Sequence, residues 1–323
     1  MDVRYVDATG AHLREATEMD EKPDEGFWWV DITEWSPEVE ACLRGLGCHE
    51  FVLRTCQQRN HVPTVHSYPD HLLVTNQSPL LGEAGHMHLL ELDLVIGTDY
   101  LVTAHGPLNP VVPVEEALVE TQAALERIEA GRYHPGSPFE LAYAIASAVA
   151  RRQRAMIGTI SQQIPGLEQN VMDSKLTEPE ELLERMFVIR HELITTRTMA
   201  AQCHDVWARM ERLPLPDEQA HDRAADVADQ FDRVRSIADG EAGFLFGVIE
   251  LYQTKVNTKM TVAMERLAVI AAVTLPITAI ASIEGMNMIV AIHENQVELF
   301  IVLAIMGAMS FWLLRWARRQ GWW

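Results

Sequence analysis

The sequence predicts an α+β domain followed by long stalk helices and two C-terminal transmembrane helices. Three observations carry this. Short β-branched and aromatic runs crowd residues 1 to 112, strand signals largely vanish from Pro113 onward, and the last fifth of the chain holds two uncharged runs, Leu267 to Ile283 and Leu299 to Leu314. At 323 residues and 48% hydrophobic, the chain can bury a sizeable core and hold more than one structural unit.

In the first region the runs "RYVDA", "FWWVDIT", "HVPTVHSY", "HLLVTNQ", "HMHLLELDLVI" and "YLVTAHG" read as strands, several of them alternating and divided by Gly, Pro, Asn and Asp. "SPEVEACLRGLG" reads as a helix among them, opened by Ser36 with Pro37 in its first turn and closed by Gly47. Residues 113 to 216 then carry helical patterns over Val114 to Gly131, Pro138 to about Ile164 and Glu178 to about Arg212. Pro165-Gly166 and Leu213-Pro214-Leu215-Pro216 mark turns between and after them.

Residues 217 to 284 contain one proline, Pro276, and read as a single stalk helix continuing into the first span, about 264 to 284. At about 1.5 Å per residue, Asp217 to Ile283 would be roughly 100 Å long. A helix of that length holds only if its faces are packed, so the stalk is expected to bundle. Gly240, Gly243 and Gly247 share one face, which allows either the close approach of a neighbour or a slight bend.

Seventeen helical residues cover roughly 26 Å, a little short of a bilayer core of about 30 Å, so flanking residues extend the spans. Residues 285 to 297 form a short loop, 298 to 316 the second span, and 317 to 323 a basic and aromatic tail. Lys255, Lys259 and Arg266 precede the first run, Arg315, Arg318 and Arg319 follow the second, and the connection has neither Lys nor Arg. By the positive-inside rule both termini are cytoplasmic and the loop external, in a cell (inner or plasma) membrane. Trp312, Trp316, Trp322 and Trp323 suit the cytoplasmic interface.

The first twenty residues show no secretory signal, which leaves the large N-terminal part inside. Cys42, Cys48, Cys56 and Cys203 follow no framework spacing and are expected as free thiols. The formal net charge is -20, and residues 285 to 323 bear three Arg against two Glu, so the deficit lies in the earlier part. So acidic a region repels nucleic acid and attracts cations. No phosphate-binding glycine loop, Gly-x-Ser-x-Gly or His-Glu-x-x-His is present, so nothing points to an enzyme.

Three constellations carry chemistry. Met264, Leu267, Ala271, Leu275, Thr278 and Ser282 follow steps of three and four and share one helix face, which suits either plain helix packing or, around an axis of several copies, a narrow apolar pore. In "SIEGMNMIV", Gly285 is placed to end the first span, and Asn287 to offer a neutral oxygen at the external mouth. A ring of such oxygens accepts hydrogen bonds from water around a cation, which suits Mg²⁺, an ion bound with much of its hydration shell intact. On the stalk, Asp222, Asp226 and Asp229 crowd like charge on one face, a cost that a cation relieves.

Gly285-Met286-Asn287, placed just after the first of two C-terminal spans, resembles the CorA family of divalent-cation channels over essentially the whole chain. The resemblance implies a homopentameric funnel whose first span lines the pore and whose second forms an outer ring in the lipid bilayer. Asn287 would then be the selectivity ring, shaped by Gly285 and Met286. Pro276 and Thr278 match the family's Pro-x-Thr, and Met264 and Leu267 fall at its hydrophobic constriction. Asp226 and Asp229 match its regulatory Mg²⁺ motif, with Glu83 a candidate partner carboxylate.

The family's usual Tyr before Gly-Met-Asn is Glu284 here, and the loop adds His293 and Glu294. These either gather cations at the external mouth or are simply solvated. Zinc transporters of the ZntB type share the same layout, and the chain has 13 His, so Zn²⁺, Co²⁺ or Ni²⁺ is the alternative cargo. A membrane-anchored cation sensor that conducts nothing is a third reading, and it would have no need of the stripe ending at Asn287.

Overall fold

The computed structural model describes residues 1–20, 25–60, 62–82, 85–173, 179–285 and 296–319. Contacts divide the chain into two compact units, Met1–Gly247 and Val248–Trp323.

The first unit is built on a seven-stranded sheet of order β2-β1-β3-β7-β6-β5-β4. Its strands are β1 (Asp2–Asp7), β2 (Gly10–Arg14), β3 (Phe27–Ile32), β4 (Val65–Ser67), β5 (His71–Leu81), β6 (Met87–Gly97) and β7 (Tyr100–His105). Only β3 and β7 pair in parallel. The order follows from composition. The central strands "FWWVDI" and "YLVTAH" are apolar on both faces and buried on both, whereas the edges "GAHLR" and "VHS" are short and polar.

Each face of the sheet carries its own core. On one face Trp29, Val74, Leu94 and Leu101 pack with residues of α5 (Pro138–Ser161), α7 (Pro179–Met210) and α8 (Glu218–Gly285), among them Ile145, Trp207 and Phe231. On the other, Val30, Leu73, Val95 and Val102 pack with Val39 and Leu43 of α1 (Pro37–Gly45) and Val52 and Leu53 of α2 (Glu50–Gln57). Burying side chains of this size contributes about 1.5–3 kcal/mol each. The indole of Trp207 donates to Asn76 Oδ1 at 2.8 Å, which satisfies the indole N–H and ties α7 to β5, whereas the buried Asn76 Nδ2 has no partner among the described residues.

Ser36 and Ser137 cap α1 and α5 through their hydroxyls, each followed by proline, and Asp217 Oδ1 accepts from Ala220 N at 2.7 Å to open α8. Between α5 and α7 the structure departs from the sequence expectation. Pro165-Gly166 is not a turn but sits in the first turns of α6 (Ile164–Asp173), and the break falls at Gln162 and Gln163. Proline is tolerated there because first-turn N–H groups have no intrahelical acceptor. The helical stretch from Val114 is likewise divided, into α3 (Val114–Ala117) and α4 (Val119–Glu129).

In the second unit the distal part of α8 is followed by α9 (Gln296–Arg319). Both helices are long and apolar enough to cross a membrane, with window hydropathies of 1.9 and 1.8, and only 6% of each window is buried. A core helix of a soluble protein with such composition would be covered; these stand bare.

Candidate functional site

The stripe lies on α8. Met264, Leu267 and Leu275 are 60%, 66% and 67% exposed, and Ala271, Thr278 and Ser282 are exposed as well. The half-buried or buried positions of this segment, Glu265, Val269, Val273, Pro276, Ile277 and Ile280, fall on the opposite side of the helix. Within one chain, then, the stripe lies at the middle of a wide uncovered surface that also includes Ile270 and Ile283, and its reverse is turned toward the rest of the unit. Leaving so apolar a face open is costly in water, so it needs lipid, a neighbouring copy or a narrow lumen beside it.

Polar groups on this segment are mostly satisfied within the helix. Thr274 and Thr278 each donate to the carbonyl four residues back, Ile270 O and Thr274 O, at 2.8 Å. Pro276 has no N–H, so the carbonyl of Ala272 loses its usual helical donor. Gly285 is the last residue of α8. Met286, Asn287, His293, Glu294 and Glu83 lie outside the described residues, as does the side chain of Glu284.

On the proximal part of α8, Asp226 is already engaged. Its Oδ2 accepts from Tyr143 Oη at 2.8 Å and from Gln230 Nε2 at 2.7 Å, and its Oδ1 lies 3.8 Å from Arg233 Nη2. Asp229 is exposed one turn on, and its carbonyl accepts from Arg233 Nε at 3.2 Å. Among the described residues no group of three or more His, Cys, Asp and Glu is arranged to hold a metal. Gly240, Gly243 and Gly247 face open space within the chain, leaving their shared face bare as well.

Two features of the first unit were not legible as sites in the sequence. The sheet buries Glu91 and Asp93 two residues apart on β6, facing α2. Burial raises both carboxyls above their ordinary range, and their mutual repulsion adds to the effect on Glu91. Glu91 accepts from Asn60 N and Nδ2 at 2.7 and 3.2 Å, whereas Asp93 receives Thr75 Oγ1 at 2.6 Å on one oxygen and has no partner for the other among the described residues. The second feature is a cleft of about 320 Å³ between α5 and α8, lined by Arg151, Arg154, Arg233 and Asp226. The only sequence signal for it is the three-residue spacing of two arginines in "ARRQRA".

Comparison with known proteins brings these observations together. A family model described as "CorA-like Mg2+ transporter protein" matches residues 24–319. The cobalt/magnesium transport protein CorA of Thermotoga maritima is 21% identical over 309 residues, 91% of this chain and 83% of that protein. Among solved structures, the complete CorA magnesium transporter of Methanocaldococcus jannaschii superposes with a TM-score of 0.82 at 17% identity, covering 100% of this chain and 99% of that one. The cytoplasmic domain of ZntB from Vibrio parahaemolyticus has a TM-score of 0.61 at 9% identity, covering 80% of this chain and 98% of that one. The likeness to the complete Methanocaldococcus jannaschii structure extends over the whole chain, both bare apolar helices included, whereas the ZntB domain matches only part of it.

Proposed function

The chain belongs to the CorA-like Mg2+ transporter family, and on that premise we propose that it passes divalent cations, Mg²⁺ foremost, across a cell membrane through a pore shared by five copies of α8. The observation that carries this reading is the bare stripe from Met264 to Ser282, set opposite the face that each chain covers for itself. Five such stripes around an axis make a narrow, mostly apolar lumen, which closes by dewetting when Met264 and Leu267 crowd together.

At the outer end, Asn287 from each copy would present an amide oxygen to the water shell of the entering ion, with Gly285 and Met286 shaping the ring. A hydrated Mg²⁺ suits such a ring because neutral acceptors hold its water without stripping it. Glu284, His293 and Glu294 would raise the local cation concentration at the mouth. The basic residues flanking the spans support an orientation with both termini inside. An inside-negative potential of 100 mV then favours entry of a divalent ion by about 4.6 kcal/mol, twice the single-charge value. Passive influx needs no other energy source.

Feedback by internal Mg²⁺ would act between copies, where Asp226 and Asp229 of α8 meet carboxylates of a neighbour; Glu83 is the candidate. Bridging by the ion holds the copies together and the pore shut, and its loss lets like charges part them. That Asp226 is held in place by Tyr143 and Gln230 supports a fixed carboxylate at this point of the stalk.

Uptake into liposomes containing the purified protein, with Mg²⁺, Zn²⁺, Co²⁺ and Ni²⁺ run in parallel, tests the proposal. Mg²⁺ entry that follows an imposed inside-negative potential is the expected result. Entry of Zn²⁺ without Mg²⁺ would assign the chain to the zinc branch whose cytoplasmic fold it shares.

A further inference from the structure

The cleft between α5 and α8 sets three guanidinium groups together: Arg151 and Arg154 of α5, and Arg233 of α8. All three are exposed, and Ala150 and Val234 give the cleft apolar walls. In a chain with 46 acidic and 26 basic residues, an arginine has many carboxylates to choose from. Their neighbour Arg152 has taken two, Glu116 at 3.0 Å and Glu120 at 3.4 Å. Among the described residues neither Arg151 nor Arg154 forms an ion pair.

The one carboxylate in the cleft does not neutralise them. Asp226 spends its Oδ2 on Tyr143 and Gln230, and its Oδ1 is 3.8 Å from Arg233 Nη2, beyond hydrogen-bonding distance. Three positive charges thus face one negative charge, across a cleft large enough for a small solute. We propose that this cleft binds a phosphate-bearing anion through these three arginines, and that its ligand class is a diphosphate group.

The chemistry follows from the donors. Each guanidinium is a planar fork matched to paired phosphate oxygens, and it keeps its charge at every physiological pH. A single phosphate is gripped well by two forks, whereas three forks from two helices match oxygens spread over two phosphorus centres. The surrounding acidic domain repels a free anion at long range, so binding rests on short, charge-assisted hydrogen bonds. The site uses none of the residues assigned to the pore, but it shares Asp226 with the proposed Mg²⁺ feedback, and titration without magnesium separates the two.

The test is calorimetric titration of magnesium-free pyrophosphate into the full-length, detergent-purified protein. Saturable binding is expected in the wild type, weakened at least about tenfold in Arg151→Gln/Arg154→Gln, the loss appropriate to removing charge-assisted forks. Arg154→Lys, which keeps the charge and loses the fork, is expected to fall between the two. Asp226→Asn should tighten binding by removing the one repulsive charge, and Arg132→Gln, an exposed arginine outside the cleft, should leave it unchanged.

A wild type that binds no pyrophosphate overturns the proposal, as does equal weakening by Arg132→Gln. Orthophosphate binding as tightly as pyrophosphate overturns the diphosphate assignment. If the wild type ignores both anions and the double variant instead loses its oligomeric state, the cleft is filled by carboxylates of a second copy and the small-anion reading fails.

Discussion

The hydroxyl of Tyr143 on α5 donates to Asp226 Oδ2 on α8 at 2.8 Å, so a carboxylate of the longest helix is anchored to a helix packed against the sheet. The bond also raises the pKa of the Tyr143 phenol, though burial is the larger cause. Tyr143→Phe removes one donor and leaves Gln230 in place. It is expected to destabilise the chain by about 1 kcal/mol, the usual net worth of one such bond. A lower thermal midpoint in the full-length protein would register this, and an unchanged midpoint would show that the link contributes nothing.

The stripe makes a positional prediction. Met264→Ala and Leu267→Ala shorten side chains on the open face of α8, and both should raise ion leak in proteoliposomes when internal Mg²⁺ is high, because a wider apolar constriction wets more readily. Ile270→Ala is the control, since Ile270 is 58% exposed but lies off the stripe. Equal leak from all three variants would make the stripe an ordinary lipid-facing surface.

Buried Asp93 gives a pH dependence with a definite sign. Burial is the largest cause of its raised pKa, set against smaller lowering effects of the Thr75 hydrogen bond and of His105. The folded carboxyl therefore keeps its proton at pH values where the unfolded chain, with an ordinary Asp pKa of about 3.9, has lost it. Stability from this group is fully present below that value and is lost as pH rises through the folded pKa. Thermal melts from acid to mildly alkaline pH should show the decline, and Asp93→Asn should make it shallower, leaving the part that the buried Glu91 carboxyl contributes. A slope unaltered by Asp93→Asn would assign it to other groups.

Much of the architecture could be read in advance because its signals are local. The strands of the sheet's centre are continuous apolar runs, Ser36 and Ser137 announce helix starts, and the two uncharged stretches announce themselves by length. What was missed depends on tertiary partners. Strand β2 has a weakly apolar sequence and exists because it pairs with β1. Helix α2 is capped by His49, whose Nδ1 accepts from Phe51 N at 3.1 Å, a role outside the usual capping preference for Ser, Thr, Asp and Asn. The arginine cleft is made by residues about eighty positions apart in the sequence, so spacing alone could not reveal it. In contrast, the six positions of the stripe were legible because α8 is regular, so sequence steps of three and four map directly onto one face.

The most direct test of the transport reading is Mg²⁺ flux into proteoliposomes under an inside-negative potential, compared between the wild type and Asn287→Ala. The account predicts potential-driven entry in the wild type and its near-complete loss in the variant, with expression and oligomeric state unchanged. Flux through Asn287→Ala at the wild-type rate would contradict the assignment of Asn287 as the ring that receives the ion.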